Sequence, residues 1–378
     1  LGVNTNLRAN LLPEVRRVVV KVGTRILTHE RGGLAPEQLE RVVDQIVALR
    51  GSGREVVLVT SGAVGVGMGI LGHATKPKLL AEKQACAAVG QIRLMHSYDE
   101  SFGRRGVPVA QYLLTAEDFR DPERFGNIRQ ATDALLKRGV VPIVNENDVV
   151  ATSEIKVGDN DRLSADVCHF LEADLLVILS DIDGLFTANP KSDPSAALIP
   201  IVHKVTSEIE ALAGGAGSLA STGGMITKIM AARTVTESGS ACIIANGFTS
   251  DLVAIVSGAP TGTLFLPAAQ KLGARKRWIR FVSTPKGKLF LDEGAVRAVL
   301  ERRASLLPAG IRKVEGTFAA GTVVELATPR GKAIARGVSN FSSAETARLL
   351  GHPSSEFQGI LGRPVPQEAV HRDNLFVL

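Results

Sequence analysis

From residue 17 to about residue 267, short runs of β-branched and aliphatic residues alternate with longer amphipathic stretches. The runs 18–22, 56–59, 140–144, 175–179 and 242–245 are apolar almost throughout, and each is followed by glycine or polar residues. Strands that are apolar on both faces belong in a parallel sheet covered by helices on both sides. The stretches between them carry helical spacing. In 36–50, Leu39, Val42, Val43, Ile46 and Val47 fall on one face, and Pro36 suits a first-turn position. Pro142 counts against a strand at 140–144, because it has no N–H to give a ladder. The pattern predicts a parallel sheet covered by helices on both faces. In such sheets ligands collect at the carboxyl ends of the strands, where Lys21, Ser61, Asn145 and Asp181 fall.

Near residue 258 the alternation stops, and 258–276 reads as a connector. Short segments then follow at close spacing, among them 277–282, 288–292, 322–326 and 333–338, with a helix candidate at 293–303 and frequent Gly, Pro and Thr. These features predict a small β-rich barrel. Charge divides the same way. Residues 271–378 hold 18 Lys and Arg against 9 Asp and Glu, whereas residues 1–270 hold 26 against 29. A mildly acidic unit joined to a basic one implies two parts with different partners. Cys86, Cys168 and Cys242 lie far apart among apolar neighbours, as free buried thiols of a reducing compartment do. The first residues lack the apolar core of a signal peptide, so the cytoplasm is expected. The uncharged stretch 56–75 contains five glycines and several polar residues. It reads as a buried strand with a glycine-rich loop and not as a membrane span.

Residues 145–161 carry the densest chemistry. The segment NENDVVATSEIKVGDND sets five carboxylates and three asparagines directly after an apolar run. Acids packed so closely repel one another unless a cation sits among them. Asp148, Asp159, Asn160 and Asp161 are therefore candidates to bind an ammonium group or to orient lysines, against a plain solvated loop. Lys21 ends an apolar run beside Gly23, where a phosphate could approach the backbone, or is simply a surface lysine. In 214–228, five glycines and small hydroxyls lead into a helix with Lys228 in its first turn. Ile226, Ile229 and Met230 lie on one side of it, and it ends near Gly239. The start of that helix is either an anion site or a mobile loop with an exposed lysine. Ser61 could hold a carboxylate; it lacks the glycine two residues earlier that a nucleophile elbow needs.

Other signatures carry less. The GxGxxG match at 67–72 lies too far past its strand for a dinucleotide turn, and GxxxxGK[ST] is absent. A calcium loop counted from Asp159 would need glycine where Ser164 stands. His73, His96 and His169 show no ligand spacing. The run Arg275, Lys276, Arg277, Trp278, Ile279, Arg280 either contacts RNA or forms a basic linker edge.

Five segments, VVVKVGTRIL, VTSGAVG, VNENDVVATSEIKVGDND, LSDIDGLFTANP and STGGMITK, stand in an order and spacing that closely resemble the glutamate 5-kinases of the amino acid kinase family. DEGAVRAVL, SLLPAGI and GKAIARGVS in the tail resemble a PUA domain. The resemblance implies an amino acid kinase domain at 17–267, an open α/β/α sandwich with a mainly parallel sheet, and a PUA-like domain at 286–362. It implies that Lys21 and Lys228 are catalytic and neutralise transition-state charge, and that Ser61, Asp148 and Asn160 contact L-glutamate. Lys21, Ser180, Asp181, Thr222, Gly223, Gly224, Met225, Ile226, Thr227 and Lys228 would bind ATP, with Mg2+ on ligands it leaves unassigned. Ser180 stands where the family commonly has threonine, and Ile182 with Asp183 replaces a polar-basic pair. Feedback inhibition by proline and a homo-oligomer, dimer or tetramer, are further implications, with RNA as a second candidate partner for the basic tail and no membrane partner.

Overall fold

The computed structural model describes residues 2–30, 32–150, 159–190, 192–213, 224–268, 279 and 285–378. The chain divides into two compact units, Leu1–Lys271 and Leu272–Leu378.

In the first unit the apolar runs become strands of one eight-stranded sheet. These are β1 (Arg17–Val22), β2 (Glu55–Val59), β3 (Val109–Leu114), β4 (Val141–Glu146), β5 (Leu175–Ser180), β6 (Ile201–Val202), β7 (Ala241–Asn246) and β8 (Thr263–Phe265). Their order is β3-β4-β2-β1-β5-β7-β8-β6. From β3 to β7 all neighbours are parallel; β8 runs antiparallel to β7 and pairs in parallel with β6. β1 and β5 lie in the middle and are buried almost throughout, which is why their sequences show no polar alternation. On one face Val18, Val20 and Val22 pack with Leu39, Val42 and Ile46 of the helix Pro36–Gly51 and with Leu94 and Tyr98 of the helix Leu80–Gly103. On the other, Val57, Leu114 and Val144 line a cleft with Phe119, Val167 and Phe170. Each fully buried valine contributes about 1.5–3 kcal/mol. Pro142 is accommodated because Val141 gives its N–H to Pro108 on the β3 side and pairing with β2 begins only at Ile143.

The glycine-rich residues after β2 form a helix, Ala63–Leu71, and not the expected loop. The glycines serve packing. A Cβ on Gly67 would lie 1.8 Å from the carbonyl oxygen of Cys86, and one on Gly90 would lie 1.9 Å from that of Ala63. Only backbone fits between the two helices there, so Leu80–Gly103 is drawn against the start of Ala63–Leu71, two residues from Ser61. No helix among the described residues is long and apolar enough to cross a membrane.

The second unit holds a five-stranded mixed sheet in the order β10-β9-β11-β12-β13, made of β9 (Gly287–Leu291), β10 (Ile311–Glu315), β11 (Val323–Ala327), β12 (Ala333–Val338) and β13 (Leu375–Val377). The helix Glu293–Arg302, capped by Asp292, adds Val296 and Val299 to a core with Leu289, Leu291, Leu326 and Phe341. Of the basic run 275–280, only Ile279 is among the described residues; it is buried against Val323 and Val338.

Candidate active site

The parallel register sets the ends of β1, β2, β4 and β5 along one rim, since Lys21 pairs with Val59 and Ile178, and Val59 with Val144. Lys21 is 5% exposed and Lys228 6% exposed, so neither is the surface lysine that the sequence alone allows. Both reach Asp161, itself fully buried. Lys21 Nζ lies 2.6 Å from Asp161 Oδ1 and Lys228 Nζ 3.2 Å from Asp161 Oδ2. Thr227 Oγ1 donates to the same Oδ2 at 2.6 Å. Burial alone would push the Asp161 carboxyl up, yet the two ammonium groups and the Thr227 hydroxyl outweigh it and hold it below the usual carboxylate range. Burial depresses the Lys21 ammonium, helped by the Lys228 charge and opposed by Asp161. Two residues 207 positions apart thus share one carboxylate, close enough to meet one chain of phosphates.

Lys228 arrives there on the helix Met225–Glu237, capped by Gly224. The buried face of that helix carries Lys228, Ile229, Ala232 and Val235. Ile229 is buried and Ile226 half-buried as the sequence suggests, but Met230 is 59% exposed, because Lys228 and Ile229 hold the inward positions of that turn. Gly224, Met225, Ile226 and Thr227 are half-buried at its start. Thr222 and Gly223 lie outside the described residues, as do 151–158 and the rest of the glycine segment 214–223. Gly23 gives its N–H to Leu179 O at 3.1 Å. What it offers a ligand is the absence of a side chain, not a donor.

A second cluster lies beside the first. Asn160 Nδ2 donates to Ser61 Oγ at 2.9 Å and to Asn145 Oδ1 at 3.1 Å, and Asn145 Nδ2 donates to Gln91 Oε1 at 2.8 Å. Asn160 Oδ1 is buried and meets no hydrogen-bond donor among the described residues. An acceptor so placed suits a cationic or N–H-bearing ligand. Asp148 is half-buried in the turn after β4 and acts on the ammonium of Lys76. Gln84 Nε2 ties this turn to the helix Leu80–Gly103 by donating to Val149 O at 3.0 Å. Ser180 ends β5 and Asp181 follows it, with Ser180 Oγ donating to Asp181 Oδ1 at 3.1 Å. Arg25 Nη1 reaches Asp181 Oδ2 at 2.6 Å, and Asn246 Nδ2 donates to Asp183 Oδ1 at 2.8 Å.

In the sequence Asp161 stands with Asp148, Asp159 and Asn160 as one of four equivalent candidates; its position between the lysines is what singles it out. Gln91 carried no motif signal, since it comes from a helix whose pattern reads as packing. Arg25 was also missed, although it lies four residues from Lys21 in the same segment.

An acidic pivot under two lysines at the carboxyl rim, beside a polar cluster with an open acceptor, is a site for an anion next to an amine. The amino acid kinase family model matches residues 16–246, more than half of the chain. The chain belongs to the amino acid kinase family. A PUA domain model matches residues 287–361. Curated relatives of this kinase-family chain include a protein named glutamate 5-kinase from Moorella thermoacetica, 50% identical over 368 residues and covering 97% of both chains. A glutamate 5-kinase from Trichlorobacter lovleyi is 48% identical over 98% of this chain and 99% of its own. Another, from Citrifermentans bemidjiense, is 48% identical over 98% of this chain and 100% of its own. The kinase-family match takes in Lys21, Ser61, Asn160, Asp161, Asp181 and Lys228 together.

Proposed function

We propose that this chain is a glutamate 5-kinase, transferring the γ-phosphoryl group of MgATP to the side-chain carboxylate of L-glutamate. The product is L-glutamyl 5-phosphate, which opens proline biosynthesis. The observation that carries this reading is the convergence of Lys21 and Lys228 on Asp161, next to the Ser61–Asn160 pair. Relatives named glutamate 5-kinase along nearly the whole chain give it the substrate.

In this reading the kinase domain is 17–267 and the PUA-like domain 286–362. ATP lies along Lys21, Ser180, Asp181 and residues 222–228. Glutamate lies against Ser61, Asp148 and Asn160, with its ammonium group toward Asn160 Oδ1. The γ-carboxylate, with an ordinary pKa of about 4.3, is already ionised at neutral pH and needs no general base. Its oxygen forms a bond to the γ-phosphorus as the bond to the bridging oxygen breaks, and ADP leaves with that electron pair. What the site must supply is alignment of two anions and positive charge on the moving group. Lys21 and Lys228 supply the charge, and Asp161 holds both ammonium groups in register. Mg2+ that arrives on phosphates keeps most of its waters and uses one or two carboxylates; exposed Asp181 at the end of β5 fits that need. When bound, the ion shields the phosphate charge. Three buried free thiols suit the cytoplasm. Proline inhibition and a homo-oligomer belong to the same reading through the family resemblance.

ADP release assayed with L-glutamate, L-aspartate, N-acetyl-L-glutamate, carbamate and UMP tests it. Turnover with L-glutamate alone is expected. Lys21→Ala and Lys228→Ala should each lower kcat by about a hundredfold or more while the chain stays folded by circular dichroism. Preference for another substrate on the panel, or near wild-type rates in both variants, overturns the assignment.

A further inference from the structure

The polar cluster beside the lysines has a direction. Asn145 Oδ1 accepts the backbone N–H of Glu146 at 3.0 Å. A backbone N–H can only donate, so this contact fixes which end of the Asn145 amide is oxygen. The other end, Nδ2, must then face Gln91, which answers with Oε1 at 2.8 Å. Asn160 faces the Asn145 oxygen and must present Nδ2, which also reaches Ser61 Oγ. Both Asn160 N–H bonds are thereby committed inside the protein, and only its oxygen is left for a ligand.

Gln91 holds the far end of this relay. It projects from the helix Leu80–Gly103 on the same face as Leu94 and Tyr98 and is 9% exposed. The backbone contact at Gly90 delivers it to the rim. Its Nε2 is buried without a partner among the described residues. Burying an unmet donor costs stability, and an aliphatic side chain there would avoid that cost. Packing therefore does not account for a glutamine; its bond to Asn145 does.

We propose that Gln91 is a positioning residue for amine selectivity, acting through Asn145 to hold Asn160 with its oxygen toward the substrate ammonium. This rests on the glutamate 5-kinase reading. Loss of the Gln91 acceptor leaves Asn145 Nδ2 buried and unmet, so the Asn145 side chain is held at one end only and its grip on Asn160 loosens. The effect falls on recognition of the amine and not on the lysines.

Steady-state kinetics of the full-length protein with L-glutamate and with glutarate, the same dicarboxylate without the amine, tests this. In Gln91→Leu, KM for L-glutamate should rise roughly tenfold or more, with kcat and KM for MgATP little changed. Turnover of glutarate should stay as in the wild type, so preference for the amine falls. Gln91→Glu keeps an acceptor facing Asn145 and should hold the wild-type KM for glutamate. Thermal melting reports whether each variant is folded, and Gln91→Met, unbranched like glutamine, serves if the leucine variant does not fold. An unchanged KM for glutamate in folded Gln91→Leu or Gln91→Met overturns the proposal and leaves the kinase reading intact. So does an equal loss in Gln91→Glu. A wild-type protein that does not phosphorylate glutamate overturns both.

Discussion

Asp161 lies buried between two lysines, and its charge is what allows them to be buried at all. With its carboxyl held below the ordinary range, Asp161 stabilises the fold above about pH 4, and that contribution fades as pH falls through its depressed value. Urea unfolding should therefore show Asp161→Asn weaker than the wild type by about 3–5 kcal/mol at pH 7, because two ammonium groups lose their counter-charge. The gap should narrow below pH 4. Asp166, five residues further along Asp159–Phe170, behaves in the opposite way. Burial pushes its carboxyl up to about 6, against the weaker pull of Arg162 and Arg120. A raised carboxyl favours the fold below about pH 4 and costs stability once pH rises past 6. Asp166→Asn should thus be more stable than the wild type by about 1–2 kcal/mol at pH 8, after allowance for its 15% side-chain exposure, and should lose that advantage at pH 4. At this scale the sequence was informative about residue types and poor about pairings. Lys21, Asn160 and Lys228 stand in dense, unusual segments. That one acid of five would meet both lysines depends on contacts between residues 140 and 67 positions apart, which no local pattern encodes.

The pair of helices Ala63–Leu71 and Leu80–Gly103 shows what local pattern conceals. A stretch rich in glycine reads as a loop, because glycine weakens an isolated helix by about 1 kcal/mol per residue. Here the same glycines open the surface on which the second helix lies, so tertiary contact overrides propensity. Gly90→Ala should therefore destabilise the protein by about 1–3 kcal/mol or more, because its Cβ would meet the backbone of Ala63 at 1.9 Å. Gly103→Ala, where nothing lies within 4 Å of the added carbon, should be neutral or stabilising by about 0.4–1 kcal/mol. Chemical denaturation of the two variants side by side checks both. Gly90→Ala should also raise KM for glutamate more than for MgATP, since it moves the helix that carries Gln91. The helix Pro36–Gly51 was legible because its apolar spacing and its Pro36 start agree. The first-turn lysine and the buried Ile229 of Met225–Glu237 are legible in the sequence; Met230 is not, since it is more apolar than Lys228 and yet Lys228 is the one buried.

For the whole molecule, the alternation of apolar and amphipathic segments was enough to specify a parallel sheet between helices, because central strands buried on both faces leave an unmistakable run. The strands it missed lie toward the sheet edges. β3 mixes exposed Gln111 and Leu113 with half-buried residues, while β6 and β8 are two and three residues long. The parallel register then does what no segment does alone, setting the ends of β1, β2, β4 and β5 on one rim so that Lys21, Ser61, Asn145 and Asp181 become neighbours in the fold. In the proposed reaction a phosphoryl group passes to a carboxylate at that rim. Hydroxylamine trapping tests it most directly, because an acyl phosphate yields a hydroxamate and an ordinary phosphate ester does not. Incubated with L-glutamate, MgATP and hydroxylamine, the wild-type protein should form γ-glutamyl hydroxamate in step with ADP, and Lys228→Ala should form about a hundredfold less. ADP release without hydroxamate, or equal hydroxamate from the wild type and Lys228→Ala, would contradict it.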